Sequence, residues 1–218
     1  MKFPNAAKGI KRLFSAEILG LIATVAMSIF SILAIVTYAQ VNAGNDTGIA
    51  VSGIGMLIFG AGAGVLAIIA LIFRIIGVVQ SSRDEESFRL AIYLTIACLI
   101  FAAIGGIFTN NSFLYNLFTA ISNALSLVSS LMIILGIGNL AAQLHNNEVM
   151  ARCGSQFRVI LWIGIVALLA RFFSIFMPSR AAFALVITLA ILSAILSVAQ
   201  YVLYLILLSK AKTMLEEN

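Results

Sequence analysis

Six apolar runs, each long enough to cross a membrane, constrain the fold of this chain more than any other feature. They cover residues 17–41, 49–80, 89–109, 113–144, 158–177 and 181–209. A helix needs about 20 apolar residues to span a hydrocarbon layer about 30 Å thick. All six runs therefore predict transmembrane helices, and the longer second, fourth and sixth runs should tilt or extend into water. The expected fold is a single all-α integral membrane domain over residues 1–218.

The composition excludes a water-soluble fold. Hydrophobic residues make up 62% of the chain and charged residues 10%, whereas soluble domains carry roughly 45–50% and about 25%. With a mean hydropathy of +1.14, too little polar surface is left to cover a soluble protein. The lipid bilayer is thus the expected solvent, and the net charge of +5 indicates anionic lipid at the cytoplasmic face, not nucleic acid.

The charges of the loops predict the topology. Basic residues occur before the first run and after every even one, at Lys2, Lys8, Lys11, Arg12, Arg83, Arg89, Arg152, Arg158, Lys210 and Lys212. The other loops, "NAGND", "TNNS" and "MPSR", contain one basic residue, Arg180. Because lysine and arginine favour cytoplasmic loops, both termini are expected in the cytoplasm and the protein in the plasma (inner) membrane. The acidic "RDEE" at 83–86 is expected to be a solvated loop, with a docking role as the alternative.

The basic segment 1–12 predicts a short amphipathic helix along the cytoplasmic interface. A cleaved signal peptide ending at "VNA" before Gly44 is the alternative, although its apolar region would be unusually long.

Similar sequences recur at the start of two odd runs. "SFRLAIYLTI" at 87–96 resembles "QFRVILWIGI" at 156–165, and "LFSAEILGLI" at 13–22 is a weaker version. The pattern predicts three tandem hairpins of the same orientation, at about 13–82, 87–147 and 156–212, related by a pseudo-threefold axis. Three tandem hairpins are similar in architecture to mitochondrial carriers, but the odd runs lack the proline–acid–base signature of that family, so no residue role is transferred.

The glycines of "GMLIFGAGAGVLAIIALIFR" at 55–74 fit helix packing better than phosphate binding. Gly55 and Gly60 have the separation of a Walker loop, but the Lys–Ser/Thr pair that should follow is replaced by Ala61 and Gly62. Gly60 and Gly64 instead form a small-xxx-small pair that allows two helices to approach closely. On the third run, a stripe of small and polar residues should likewise face the bundle: Ala91, Thr95, Cys98, Ala102 and Gly105.

Two arginines lie at membrane depth, where charge is costly. Arg74 is expected either to extend to the lipid headgroups or to form a structural ion pair with Glu17. Arg171 falls in the outer half of the bilayer; it could extend outward, pair with Asp46, or bind an anion or a carboxylate-bearing solute. These alternatives remain open at the level of sequence.

Polar residues on the fourth run share one face and could line a solute pathway, which residues of the sixth run could extend. An interhelical hydrogen-bonding role is the alternative. The candidates are Thr119, Asn123, Ser126 and Ser130, with Ser193, Ser197 and Gln200.

The histidine and the two cysteines of the chain form no pattern typical of a catalytic site. His145 is the only histidine and has no second metal ligand at a suitable spacing. Cys98, inside a run, and Cys153, assigned to a polar loop, are expected to be free thiols. Without a Ser/His, paired-carboxylate or metal constellation, neither an enzyme nor a cofactor is expected.

The sequence thus favours a transporter or channel for a small polar or anionic solute. The alternative is a non-transporting membrane scaffold, assembly subunit or immunity-type protein. Either could form a homo-oligomer or bind a membrane-protein partner.

Overall fold

Every secondary-structure element in the described part of the chain is an α-helix. The computed structural model describes residues 2–43, 46–176 and 200–217. Its helices are α1 (Pro4–Ala43), α2 (Asp46–Ser81), α3 (Ser87–Ile107), α4 (Ser112–Gln143) and α5 (Asn147–Phe176), followed by α6 at 200–217. Helices α1 to α5 each contain a segment long and apolar enough to cross a membrane. The all-α prediction is confirmed, and the helices support a multi-pass membrane protein.

The predicted threefold repeat and the cytoplasmic termini stay predictions. Most of the sixth predicted run, residues 181–199, lies outside the described residues. Helix α6 continues to residue 217, beyond the predicted end of that run at 209.

Two helix boundaries differ from those expected. The basic N-terminal segment is continuous with the first span, because α1 begins at Pro4 and runs unbroken to Ala43. Proline suits the first helical position, since that residue has no intrahelical N–H bond to lose. The segment before the fifth run is also helical and not a loop, so Cys153 lies within α5, where it is buried and free.

A tight turn connects α4 to α5, and the single histidine of the chain lies in this turn. His145 has a φ of 55°, in the left-handed region that commonly ends a helix. The Asn146 N–H donates to Ala141 O at 2.9 Å and the His145 N–H to Ala142 O at 3.1 Å, the bond pair of a Schellman motif. The Asn146 side chain then accepts from the Val149 N–H at 3.0 Å and caps the start of α5. His145 therefore has a backbone role.

The chain divides into two compact units, residues 1–10 with 78–218 and residues 11–77. The first unit has a core of large side chains that are at most 2% exposed. These include Phe88 of α3, Ile133, Ile134, Ile137 and Leu140 of α4, and Leu207, Leu208 and Leu215 of α6.

The second unit contains the hairpin formed by α1 and α2, and its buried residues are mainly alanines. Ala16 and Ala23 of α1 and Ala63 and Ala70 of α2 are at most 9% exposed, whereas many large aliphatic side chains of both helices are exposed. Lipid is as apolar as leucine, so membrane helices associate through close packing of small residues and leave large ones outside.

Candidate functional site

An ion pair joins the two helices of the second unit. Arg74 Nη1 lies 3.8 Å from Glu17 Oε1, and the two side chains are 28% and 13% exposed. Both residues belong to apolar helical segments, where an isolated charge would be expensive. The structure therefore brings these two predicted partners together.

The same ion pair lines a groove of about 410 Å³ between α1 and α2. Gly20 and Thr24 line it on the α1 side, and Ala67 and Leu71 on the α2 side. The Thr24 hydroxyl donates to the Gly20 carbonyl at 2.8 Å, so its oxygen lone pairs remain able to accept. The groove thus combines small apolar walls with an acid, a base and a hydroxyl.

The two predicted packing glycines have different surroundings. A Cβ added at Gly60 would lie 3.0 Å from two ring carbons of Phe30 on α1, so the ring packs directly on this glycine. A Cβ added at Gly64 would meet nothing within 4 Å. The buried side of α2 includes Ala63 and Ala70; Gly64 follows Ala63 by one residue and is turned about 100° away from it.

Two residues of the predicted polar stripe of α4 donate hydrogen bonds within their own helix. Thr119 donates to Tyr115 O at 2.7 Å and Ser130 to Ser126 O at 3.0 Å, both within α4, while Asn123 is exposed. Their place in a solute pathway stays a prediction.

Two other serines of α4, which the sequence interpretation missed, bond to α3. Ser129 Oγ lies 2.8 Å from Thr95 Oγ1 and donates to Ala91 O at 3.1 Å. Ser122 donates to the carbonyl of Cys98 at 3.1 Å. Ser122 and Ser129 are seven residues apart, and Thr95 and Cys98 are three apart. Both spacings place the two side chains on one face of a helix. The sequence therefore contained a signal for one polar face on α3 and one on α4 that could bond to each other.

The remaining predicted pathway residues lie at or beyond the limits of the description. Arg171 lies within α5, but its side chain is outside the described residues, as are Ser193 and Ser197. Gln200 begins α6 and is half-buried. Its backbone carbonyl accepts a hydrogen bond of 3.0 Å from Gln156, a buried side chain of α5.

The acidic loop between α2 and α3 has specific partners, which corrects the expectation of a merely solvated segment. Asp84 accepts from the Asn5 side chain at 2.9 Å and from the Ala6 N–H at 2.8 Å. Glu85 accepts from the Asn139 side chain of α4 at 2.8 Å. Asp84 therefore supplies an acceptor to the first turn of α1, where an anion also complements the helix dipole. Sequence spacing gave no signal for a partner so distant in the chain.

No family model, curated protein or solved structure matches this chain. Within residues 2–43, 46–176 and 200–217, no group of three or more His, Cys, Asp and Glu side chains could hold a metal ion. The groove between α1 and α2 is therefore the feature whose chemistry indicates a function.

Proposed function

We propose that this membrane protein is a transporter or channel for a small polar or anionic solute. The observation that supports the proposal most directly is the groove of the second unit. Arg74, Glu17 and Thr24 line this groove, which has a volume of about 410 Å³. Ligand pockets typically measure about 300–1,000 Å³, so this volume suits a small solute. An ionisable residue at membrane depth also commonly marks a solute pathway.

The charge of Arg74 suits recognition of a solute anion. Its guanidinium lines the groove beside Glu17, and a guanidinium matches the geometry of carboxylate and phosphate oxygens. An anion that entered the groove would therefore meet a cation with the right hydrogen-bonding geometry. Arg171 and the polar residues of α4 and α6 stay candidates predicted from the sequence.

The test is solute flux and solute-dependent stabilisation of purified protein. Proteoliposomes would be assayed for uptake of chloride, inorganic phosphate, acetate and glycine, and the unfolding temperature measured with each solute. The double variant Glu17→Gln with Arg74→Gln removes both charges together, since removing one would leave the other unpaired. We expect it to fold and to lose flux and stabilisation.

Arg152→Gln is the matched control, because Arg152 forms an exposed ion pair with Glu148 at the start of α5. It should retain the response. Arg171→Leu should fold and also lose the response if Arg171 belongs to the pathway. Absence of flux and of stabilisation for every solute with the unmodified protein would refute the transport proposal.

A non-transporting scaffold is the second candidate, and the α3–α4 contact favours it. There, the hydroxyls of Ser122 and Ser129 are used in joining helices, as expected of a protein built for packing. A scaffold would show no flux but would keep a defined oligomer or a membrane partner through gentle detergent extraction.

A further inference from the structure

Two helices share a pattern in which an exposed aromatic residue follows an arginine by four positions. One copy lies near the start of α3, and the other lies where the apolar part of α5 begins. The sequences are "FRLAIY" at 88–93 and "FRVILW" at 157–162. Both arginines are exposed, and Tyr93 and Trp162 are 63% and 67% exposed. Residues four apart are neighbours on a helix surface, so each pair forms one patch with a cation beside an aromatic ring.

On α5 this patch belongs to a groove of about 460 Å³. Its lining residues are Ser155, Arg158, Val159, Trp162, Ile163 and Val166. At 1.5 Å per residue they extend about 16 Å along the helix. The groove is polar at its N-terminal end and apolar at the other, with Trp162 between, and this order matches a lipid headgroup followed by an acyl chain.

The two nearby arginines of α5 differ in how their charge is balanced. Arg152 pairs with Glu148 at 3.2 Å. Arg158 donates through Nε to the Gly154 carbonyl at 3.4 Å. Across the part of the chain that the structure describes, ion pairs involve only Glu17 and Glu148 as acids, and neither contacts Arg158. The groove therefore presents a cation without a protein carboxylate.

We propose that this face of α5 binds an anionic phospholipid. The Arg158 guanidinium and the Ser155 hydroxyl receive the phosphate, because guanidinium matches the geometry of phosphate oxygens. The Trp162 ring lies at the level of the membrane interface, as tryptophan prefers, and an acyl chain follows Val159, Ile163 and Val166. Arg89 and Tyr93 on α3 form a second copy of the pair. The lipid site is independent of the proposed solute groove.

Trp162 is the only tryptophan of the chain, so its fluorescence reports on the site without labelling. The protein would be placed in nanodiscs of phosphatidylcholine and phosphatidylglycerol, with bromine on the acyl chains of either lipid at equal mole fractions. We expect brominated phosphatidylglycerol to quench Trp162 with about fivefold local enrichment, the equivalent of about 1 kcal/mol per basic residue at a membrane surface. Equal quenching by the two lipids would overturn the proposal.

Three variants separate a specific site from general surface charge. Arg158→Gln should abolish the preference, whereas Arg152→Gln, with the same loss of charge on the same helix, should leave it unchanged. Equal losses in these two variants, or a preference that survives Arg158→Gln, would contradict the site. Arg158→Lys keeps the charge but not the fork geometry and should retain only part of the enrichment, which tests the site even if Arg158→Gln fails to fold.

The α3 copy is tested by moving the reporter. In the variant Tyr93→Trp with Trp162→Tyr, the same preference should appear at α3 and should disappear on adding Arg89→Gln. A missing preference at α3 would restrict the proposal to α5.

Discussion

At Gly136 of α4, one added methyl group should be costly because a buried aromatic ring occupies the space beside it. A Cβ added there would lie 2.6, 2.9 and 3.0 Å from three carbons of the Phe88 ring. Phe88 is fully buried, and its rigid ring would have to retreat by 0.8 Å to reach even the short end of the ordinary contact range at 3.4 Å. Overpacking of this kind typically costs about 1–3 kcal/mol. We therefore expect Gly136→Ala to destabilise the protein despite the better helix propensity of alanine.

Gly138→Ala is the matched control, two residues along the same helix. Its added Cβ would lie 3.5 Å from Cys153 Cβ, an ordinary contact, so the propensity gain of about 0.5–1 kcal/mol should dominate. Unfolding in mixed micelles titrated with dodecyl sulfate, followed by circular dichroism, should place Gly136→Ala below Gly138→Ala by about 1–3 kcal/mol. Phe88→Leu should recover part of the loss in the double variant. Equal stability of the two alanine variants would refute the reasoning.

Three further predictions concern topology, the α1–α2 contact and the acidic loop. In a cysteine-free background, an impermeant thiol reagent added to intact cells should label single cysteines at 45, 111 and 179 but not at 82 and 147; the opposite pattern would reverse the predicted orientation. Gly60→Leu should lower the yield of folded protein because Phe30 occupies the space beside it, whereas Gly64→Leu should be tolerated; equal yields would contradict the contact. Asp84→Ala should cost about 0.5–2 kcal/mol by removing the acceptor at the first turn of α1, while Glu86→Ala, whose side chain makes no capping bond, should be neutral; similar losses in the two would argue against the cap.

The sequence predicted the helices well because membrane spans depend on length and polarity, which are local properties. The stripe predicted on α3 was also informative: Ala91 and Gly105 are buried, and Thr95 and Cys98 contact serines of α4. Ala102, another member of that stripe, is exposed.

The start of α5 was missed because its polar residues obscured an amphipathic helix. Val149, Cys153, Gln156 and Ile160 are all at most 5% exposed, and their spacing of four, three and four residues is helical. A search for membrane spans ignores such a segment, since only one of its faces is apolar. The acidic loop was missed for a different reason, because the bond between Asp84 and Asn5 joins residues far apart in sequence and no local pattern encodes it.

Helix α4 has polar residues on two faces, one that bonds to α3 and one that is predicted to line a pathway. The last prediction compares the contribution of the two faces to stability. Ser129 bonds across the helix contact to Ala91 O and Thr95, while Thr119, a member of the predicted polar stripe, donates to the carbonyl of Tyr115 in its own helix. Interhelical hydrogen bonds in membranes average about 0.6 kcal/mol and reach about 1.7, whereas the bond of Thr119 stays within one helix. Ser129→Ala should therefore lower the free energy of unfolding by about 0.6–1.7 kcal/mol, and Thr119→Val, which also removes one hydroxyl, should lower it by less. If Thr119→Val proves the more destabilising of the two in the same dodecyl sulfate titration, the face of α4 that bonds to its neighbours includes the predicted polar stripe, and the separation of a packing face from a pathway face is wrong.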